Sequence, residues 1–200
     1  MDALLVVDFQ NDFCPGGALP VAEGDLIAEP INELLDSFDL VVGTRDWHPI
    51  DHGSFVGIHV DPAQWEGTDP PSIWPVHCVQ GTSGAELYPG LDREKLDYLL
   101  DKGMDRWSQG YSAFHRSGLG ELLHENRVDR VFVAGLTTEY CVKNTVLDAR
   151  RLGLDVVVVE DAIRPVEVTP GDAERAMAEM RAAGATFVRS EDVKRARAAA

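Results

Sequence analysis
No apolar run in this chain approaches the roughly 20 residues that a membrane-spanning helix requires, so membrane insertion is excluded. Cysteine is scarce. The three that occur, Cys14, Cys78 and Cys141, are odd in number and have no close-paired spacing, so they form no disulfide framework and are expected to be reduced. Basic residues are outnumbered, 18 Lys and Arg against 34 Asp and Glu, and the net charge of -16 argues against a nucleic-acid partner. There is no internal repeat or low-complexity segment. The N-terminus lacks a basic stretch and a small-residue cleavage site and runs directly into Ala3-Leu-Leu-Val-Val, which reads as a first strand and points to the cytoplasm.

What remains is a 200-residue chain of a size that one core can serve, expected to be a single domain over 1–200. Short β-rich runs occur at Ala3–Val7, Leu40–Val42, Asp97–Leu100, Arg130–Ala134, Val156–Val159 and Thr186–Val188. Helical patterns occupy Asp25–Ser37, Leu119–Glu125, Glu139–Leu152, Asp172–Ala183 and Ser190–Ala199. This alternation predicts an α/β fold, a three-layer α/β/α sandwich with a mostly parallel sheet of about six strands. Leu4-Leu-Val-Val and Asp155-Val-Val-Val-Val lack polar alternation, as strands buried on both faces do, and should be central. Between Pro49 and Gly90 the pattern fails; so long an irregular stretch in a compact domain is usually functional, and a binding region over about 46–90 is expected.

Ligands of open α/β sheets bind beyond the carboxyl ends of the strands, which directs attention to the residues that follow them. Asp8 ends the first strand, Asp46 and His48 follow the second, Lys102 the third and Cys141 the fourth. Cys141 falls at a strand-to-helix corner, where unpaired N–H groups and the helix dipole are expected to let a thiol ionise near neutral pH. Asp8, Lys102 and Cys141 supply a base, an electrostatic anchor and a nucleophile, the parts of a cysteine hydrolase. Asp46-Trp-His48-Pro-Ile-Asp-His52 and the later His77 offer one carboxylate and up to three imidazoles, a donor set suited to Zn, Fe or Mn with positions left open. Taken singly, the same residues read as a packed thiol, a loop cap and loop histidines.

Four blocks extend the argument: Val7-Asp8-Phe-Gln-Asn-Asp12-Phe13-Cys-Pro-Gly-Gly17, Thr44-Arg-Asp46-Trp-His48-Pro, Trp74-Pro-Val-His77-Cys78-Val and Gly135-Leu-Thr-Thr-Glu-Tyr-Cys141-Val. In order and over nearly the whole chain they resemble the nicotinamidases, or pyrazinamidases, of the isochorismatase-like hydrolase superfamily. The resemblance implies hydrolysis of nicotinamide, and of pyrazinamide, to the acid and ammonia, a step of NAD salvage. It implies that Cys141 attacks the carboxamide, Asp8 moves the protons and Lys102 positions Asp8. It places an oxyanion hole at the N–H groups of Thr137 and Cys141, with a cis peptide between Leu136 and Thr137.

Phe13, Leu19 and Trp74 match positions that wall the substrate ring, and Tyr111 joins them. One divalent metal per chain, zinc ahead of iron or manganese, is implied at Asp46, His48 and His77, with His52 a weaker fourth ligand, and it would coordinate the pyridine nitrogen. Cys14 and Cys78 match structural positions. Glu139-Tyr140 departs from the Asp-His that often precedes the nucleophile in this family. The competing readings are another isochorismatase-like hydrolase, of N-carbamoyl amide or isochorismate type, and a non-catalytic metal or thiol sensor; the former have no ring nitrogen to bind and no need of the metal set. The oligomeric state, a homo-oligomer included, is left open.

Overall fold
A computed structural model describes residues 1–67 and 73–198; within the expected binding region 68–72 lie outside the described residues, as does Ala199, expected to end the last helix. Six strands form one sheet: β1 (Asp2–Val7), β2 (Val41–Asp46), β3 (Tyr98–Lys102), β4 (Arg130–Leu136), β5 (Asp155–Arg164) and β6 (Thr186–Val188). Their order is β3-β2-β1-β4-β5-β6, and every pairing between them is parallel.

The absence of polar alternation in β1 has the expected cause. Leu4 and Val6 point into one core with Ile27, Ile31, Leu34 and Val193, while Ala3, Leu5 and Val7 point into another with Leu119, Leu123, Val142, Val146 and Met180. Successive side chains leave a strand on opposite faces, so a strand covered on both sides must be apolar throughout. Each of the four Leu and Val side chains, fully buried, contributes about 1.5–3 kcal/mol before the entropy of ordering is set against it.

The first core is covered by α1 (Ala28–Leu35) and α5 (Ser190–Ala198), the second by α2 (Leu119–Glu125), α3 (Lys143–Arg151) and α4 (Asp172–Ala182). Among the described residues no helix is long and apolar enough to cross a membrane. The expected helix from Asp25 opens as a 3-10 turn, Gly24–Ile27, before α1 begins. The expected helix from Glu139 opens as a π turn, Thr138–Val142, before α3 begins.

Chain direction across the sheet decides where a site can form. From β1 the chain passes outward to β2 and β3, then returns to place β4 on the other side of β1. The order therefore reverses between β1 and β4, the switch point where connections diverge and leave a crevice at the carboxyl ends. The two strands approach closely there. Gly135 has φ 122°, and a Cβ on it would lie 1.9 Å from the carbonyl oxygen of Val7, so no other residue fits.

Candidate active site
Asp8 is the first residue after β1, and its backbone turns sharply, with φ 47°. That left-handed conformation is unfavourable for a residue with a side chain and is held by tertiary bonds. The N–H of Asp8 donates to the Thr44 carbonyl at 3.1 Å, and the Thr44 hydroxyl donates to Asp8 Oδ1 at 2.8 Å. Asp46 and Lys102, expected just after their strands, are instead the last residues of β2 and β3 and stand opposite each other in the ladder. Lys102 Nζ lies 2.5 Å from Asp46 Oδ1, 2.8 Å from Asp8 Oδ2 and 3.5 Å from Cys141 Sγ, and donates to the Gly110 carbonyl at 3.1 Å. Asp8 and Lys102 are 0% and 1% exposed. Two carboxylates and a thiol thus surround one buried ammonium, which supplies the counter-charge that buried carboxylates require.

The protonation pattern follows from this cage. Burial opposes the charge on Lys102, but Asp46 and Asp8 outweigh it and hold the ammonium well above its ordinary range. Asp46 is kept ionised despite burial by Lys102 and His48. Burial pushes Asp8 up, against the pull of Lys102 and with the push of Asp46. Burial likewise pushes the Cys141 thiol well up, and Lys102 only partly offsets this. The expectation of a thiol ionised near neutral pH by a helix start is therefore corrected: loss of solvent dominates, and the thiol keeps its proton. Asp8 hydrogen-bonds the thiol and adds to the rise.

Gln10, missed in the sequence, sets the position of Asp46. Its amide oxygen accepts the Asp46 N–H, and its amide nitrogen donates to the Asp46 and Ala85 carbonyls, each at 2.8 Å. Its place two residues beyond Asp8, at the end of a strand, was the available signal.

The expected metal ligands meet beside this cluster. The His48 N–H donates to the Cys78 carbonyl and the Gln80 N–H donates to the His48 carbonyl, both at 2.9 Å, so the segment carrying His77 is laid alongside His48. One donor atom each from Asp46, His48 and His77 lies within 4.8 Å of the others. His48 Nδ1–H donates to the Gly103 carbonyl and His77 Nδ1–H donates to the Pro75 carbonyl, both at 2.8 Å. These bonds fix the tautomer and leave the Nε2 lone pair of each ring available, as metal-binding histidines require. Gly103 has φ 66°, and a Cβ there would lie 2.5 Å from His48 Cε1. Burial, with His48 adding to it, brings His77 down to about 4, so its ring is neutral at physiological pH. Buried, acidic and imidazole-bearing, the three residues fit one divalent ion.

His52 does not join them. Its Nε2–H donates to the Ser108 carbonyl at 3.0 Å, and its Nδ1 accepts the Ser54 hydroxyl at 2.8 Å. Both nitrogens are occupied, and the ring stacks on His48 with centroids 4.1 Å apart. The expected fourth ligand thus lies beside His48 with both ring nitrogens hydrogen-bonded, outside the Asp46, His48 and His77 set.

A small, partly open cavity borders Cys141, Asp46 and His77. Phe13, Leu19, Trp74, Tyr111 and Thr137 line it as expected, and Tyr140 and Val166 line it unexpectedly. Trp74 meets Tyr140 edge to face at 4.8 Å and donates its indole N–H to the Tyr111 hydroxyl at 3.0 Å. The Leu136–Thr137 peptide is cis. Cys14 and Cys78 are buried free thiols, and burial pushes Cys14 up to about 12.

Residues 2–192 match the model of the isochorismatase domain. The nicotinamidase of Escherichia coli (strain K12) is 43% identical over 199 residues, covering 92% of this chain and 93% of that protein. A nicotinamidase/pyrazinamidase structure from Acinetobacter baumanii superimposes with a TM-score of 0.87 at 38% identity, covering 96% of this chain and 97% of that one. The pyrazinamidase of Pyrococcus horikoshii in complex with zinc does so with a TM-score of 0.80 at 41% identity, covering 94% and 98%.

Proposed function
We propose, from the fact that the chain belongs to the isochorismatase family and from the cluster around Lys102, that it is an amidohydrolase converting nicotinamide to nicotinate and ammonia. Pyrazinamide, whose ring also carries a nitrogen, is a second substrate. The observation that carries the reading is that Asp8, Lys102 and Cys141 are in mutual contact beside an Asp46, His48 and His77 donor set. Both border one aromatic-walled cavity, through Cys141, Asp46 and His77.

The chemistry then follows from the proton arrangement. The Cys141 sulfur attacks the carboxamide carbon as Asp8 takes the thiol proton, so a free resting thiolate is not needed. The Asp8 carboxyl returns that proton to the amide nitrogen, the C–N bond breaks and ammonia leaves a thioester. Water then adds to the thioester carbon while Asp8 accepts its proton. The C–S bond breaks, the sulfur recovers the proton from Asp8, and the acid leaves as nicotinate. Lys102 stays protonated throughout and keeps Asp8 aligned on the sulfur. Backbone N–H groups of Thr137 and Cys141 are assigned to the oxyanion that forms at each addition, where aimed donors are usually the largest catalytic term. A divalent ion held by Asp46, His48 and His77, zinc ahead of iron or manganese, would supply a Lewis-acid position for the ring nitrogen.

The test is ammonia release from nicotinamide and pyrazinamide. Wild type is expected to release ammonia from both, and Cys141→Ala to lose at least about 10³-fold in kcat with its fold intact. Full turnover by Cys141→Ala would sink the nucleophile assignment.

A further inference from the structure
Glu139 is buried, 5% exposed, in the same π turn as Cys141, yet it takes no part in the chemistry above. Its carboxylate is directed away from the thiol to the segment joining β5 to α4, residues 165–171. Oε2 accepts the N–H of Val166 at 3.1 Å, and Oε1 accepts the N–H of Glu167. Two consecutive backbone donors on the two oxygens of one carboxylate form a bidentate, charge-assisted clamp, stronger than neutral bonds and specific in direction. Glu167 itself sits in a left-handed turn, at φ 49°. Val166 lines the cavity, and Tyr140, between Glu139 and the nucleophile, lines it too.

We propose that Glu139 is a positioning residue that fastens the 165–171 segment to the nucleophile's turn, so that Val166 is held as a wall of the substrate cavity. The role rests on the cavity being the nicotinamide site proposed above. The clamp has two ends of different kind. At one end Glu139 is fixed by the π turn; at the other the segment is ordered within itself, Thr169 N–H donating to Asp172 Oδ2 at 2.8 Å and Gly171 N–H to Glu167 Oε1 at 3.0 Å. Loss of the carboxylate therefore frees the segment at Val166 and Glu167 while leaving its inner turn closed. A loosened wall weakens substrate binding more than it slows bond making at Cys141.

The experiment uses Glu139→Gln, which keeps the shape but offers one acceptor and opposes an NH₂ to the second backbone donor, and Glu139→Ala, which offers none. Glu139→Gln is expected to raise KM for nicotinamide about tenfold, the equivalent of one lost hydrogen bond, with kcat within about threefold of wild type. Glu139→Ala is expected to raise KM further. Residue-resolved amide exchange is expected to accelerate at Val166 and Glu167 in both variants, with Thr169 at its wild-type rate. Unchanged KM, or acceleration of Thr169 along with the rest of the protein, overturns the proposal in favour of a merely structural carboxylate. Should neither variant fold, wild type still decides: unprotected amides at Val166 and Glu167 overturn the clamp. A wild type inert toward nicotinamide refutes the proposed function instead, and the exchange rates judge the clamp without turnover.

Discussion

Replacing Lys102 by methionine tests the central electrostatic argument, because the substitution keeps most of the side-chain volume and removes the one cation of the cage. In wild type the ammonium contacts Asp46, Asp8 and Cys141 at 2.5, 2.8 and 3.5 Å inside a region closed to solvent. Deleting one partner of a buried ion pair costs roughly 3–5 kcal/mol, because the charge left behind has neither water nor counter-ion. At about 2–4 °C per kcal/mol for a chain of this size, Tm should fall by roughly 6–20 °C.

The pH dependence fixes the sign. Asp8 is already raised above 3.8 by burial with Lys102 opposing, so without the lysine it rises further. A folded value above the unfolded one favours the folded state at low pH and penalises it as pH rises through the folded value. The Tm gap between Lys102→Met and wild type should therefore be wide at pH 8 and narrow at pH 5, measured by thermal unfolding at matched metal content. Ammonia release from nicotinamide should drop by at least about 10³-fold, since Asp8 then holds its proton more tightly and is less available as a base. A gap under about 2 °C, or one that does not change with pH, would show that the ammonium does not neutralise this cluster.

Other expectations follow from the same site. His52→Gln should retain one metal ion per chain by elemental analysis while losing about 1–3 kcal/mol of stability, since the ring bridges Ser54 and Ser108; a drop in metal stoichiometry would return His52 to the ligand set. The profile of kcat/KM should have an acid limb above the ordinary carboxylate value of 3.8, set by Asp8 as the required base; a limb at or below that value contradicts the assignment. Metal-free protein should lose stability as pH falls from 6.5 toward 4, because burial brings His52 and His77 down to about 3 and about 4 and these two rings take up protons in that window only in the unfolded chain. A Tm that stays flat across that range would mean that neither ring is held neutral.

How much of this was legible beforehand depended on the distance over which each feature is decided. The run Leu4-Leu-Val-Val announced a strand covered on both faces, since burial on both sides forbids polar alternation within the strand itself. Once β strands were recognised, the residues just beyond them pointed to Asp8, Asp46, His48, Lys102 and Cys141, and family resemblance ordered their roles. Local pattern could not say that Asp46 and Lys102 are ladder partners, because register is set between strands that lie far apart in the chain. Nor could it separate His48 and His77 from His52, as the choice turns on which carbonyl or hydroxyl each ring meets: Gly103 and Pro75 leave Nε2 open, whereas Ser54 and Ser108 close both nitrogens.

Cys141 shows the same division most plainly. Its place after β4 was readable from an apolar run broken by glycine and threonine, but its protonation was not, because burial is a property of everything packed around it. Sequence alone determined which side chains end on the carboxyl edge of the sheet, since strand and turn are local. Only the tertiary structure decided that two carboxylates and a thiol share one lysine there, that Glu139 accepts the N–H groups of Val166 and Glu167, and that Tyr140 and Val166 line one cavity, because each depends on contacts between segments that the chain order keeps apart.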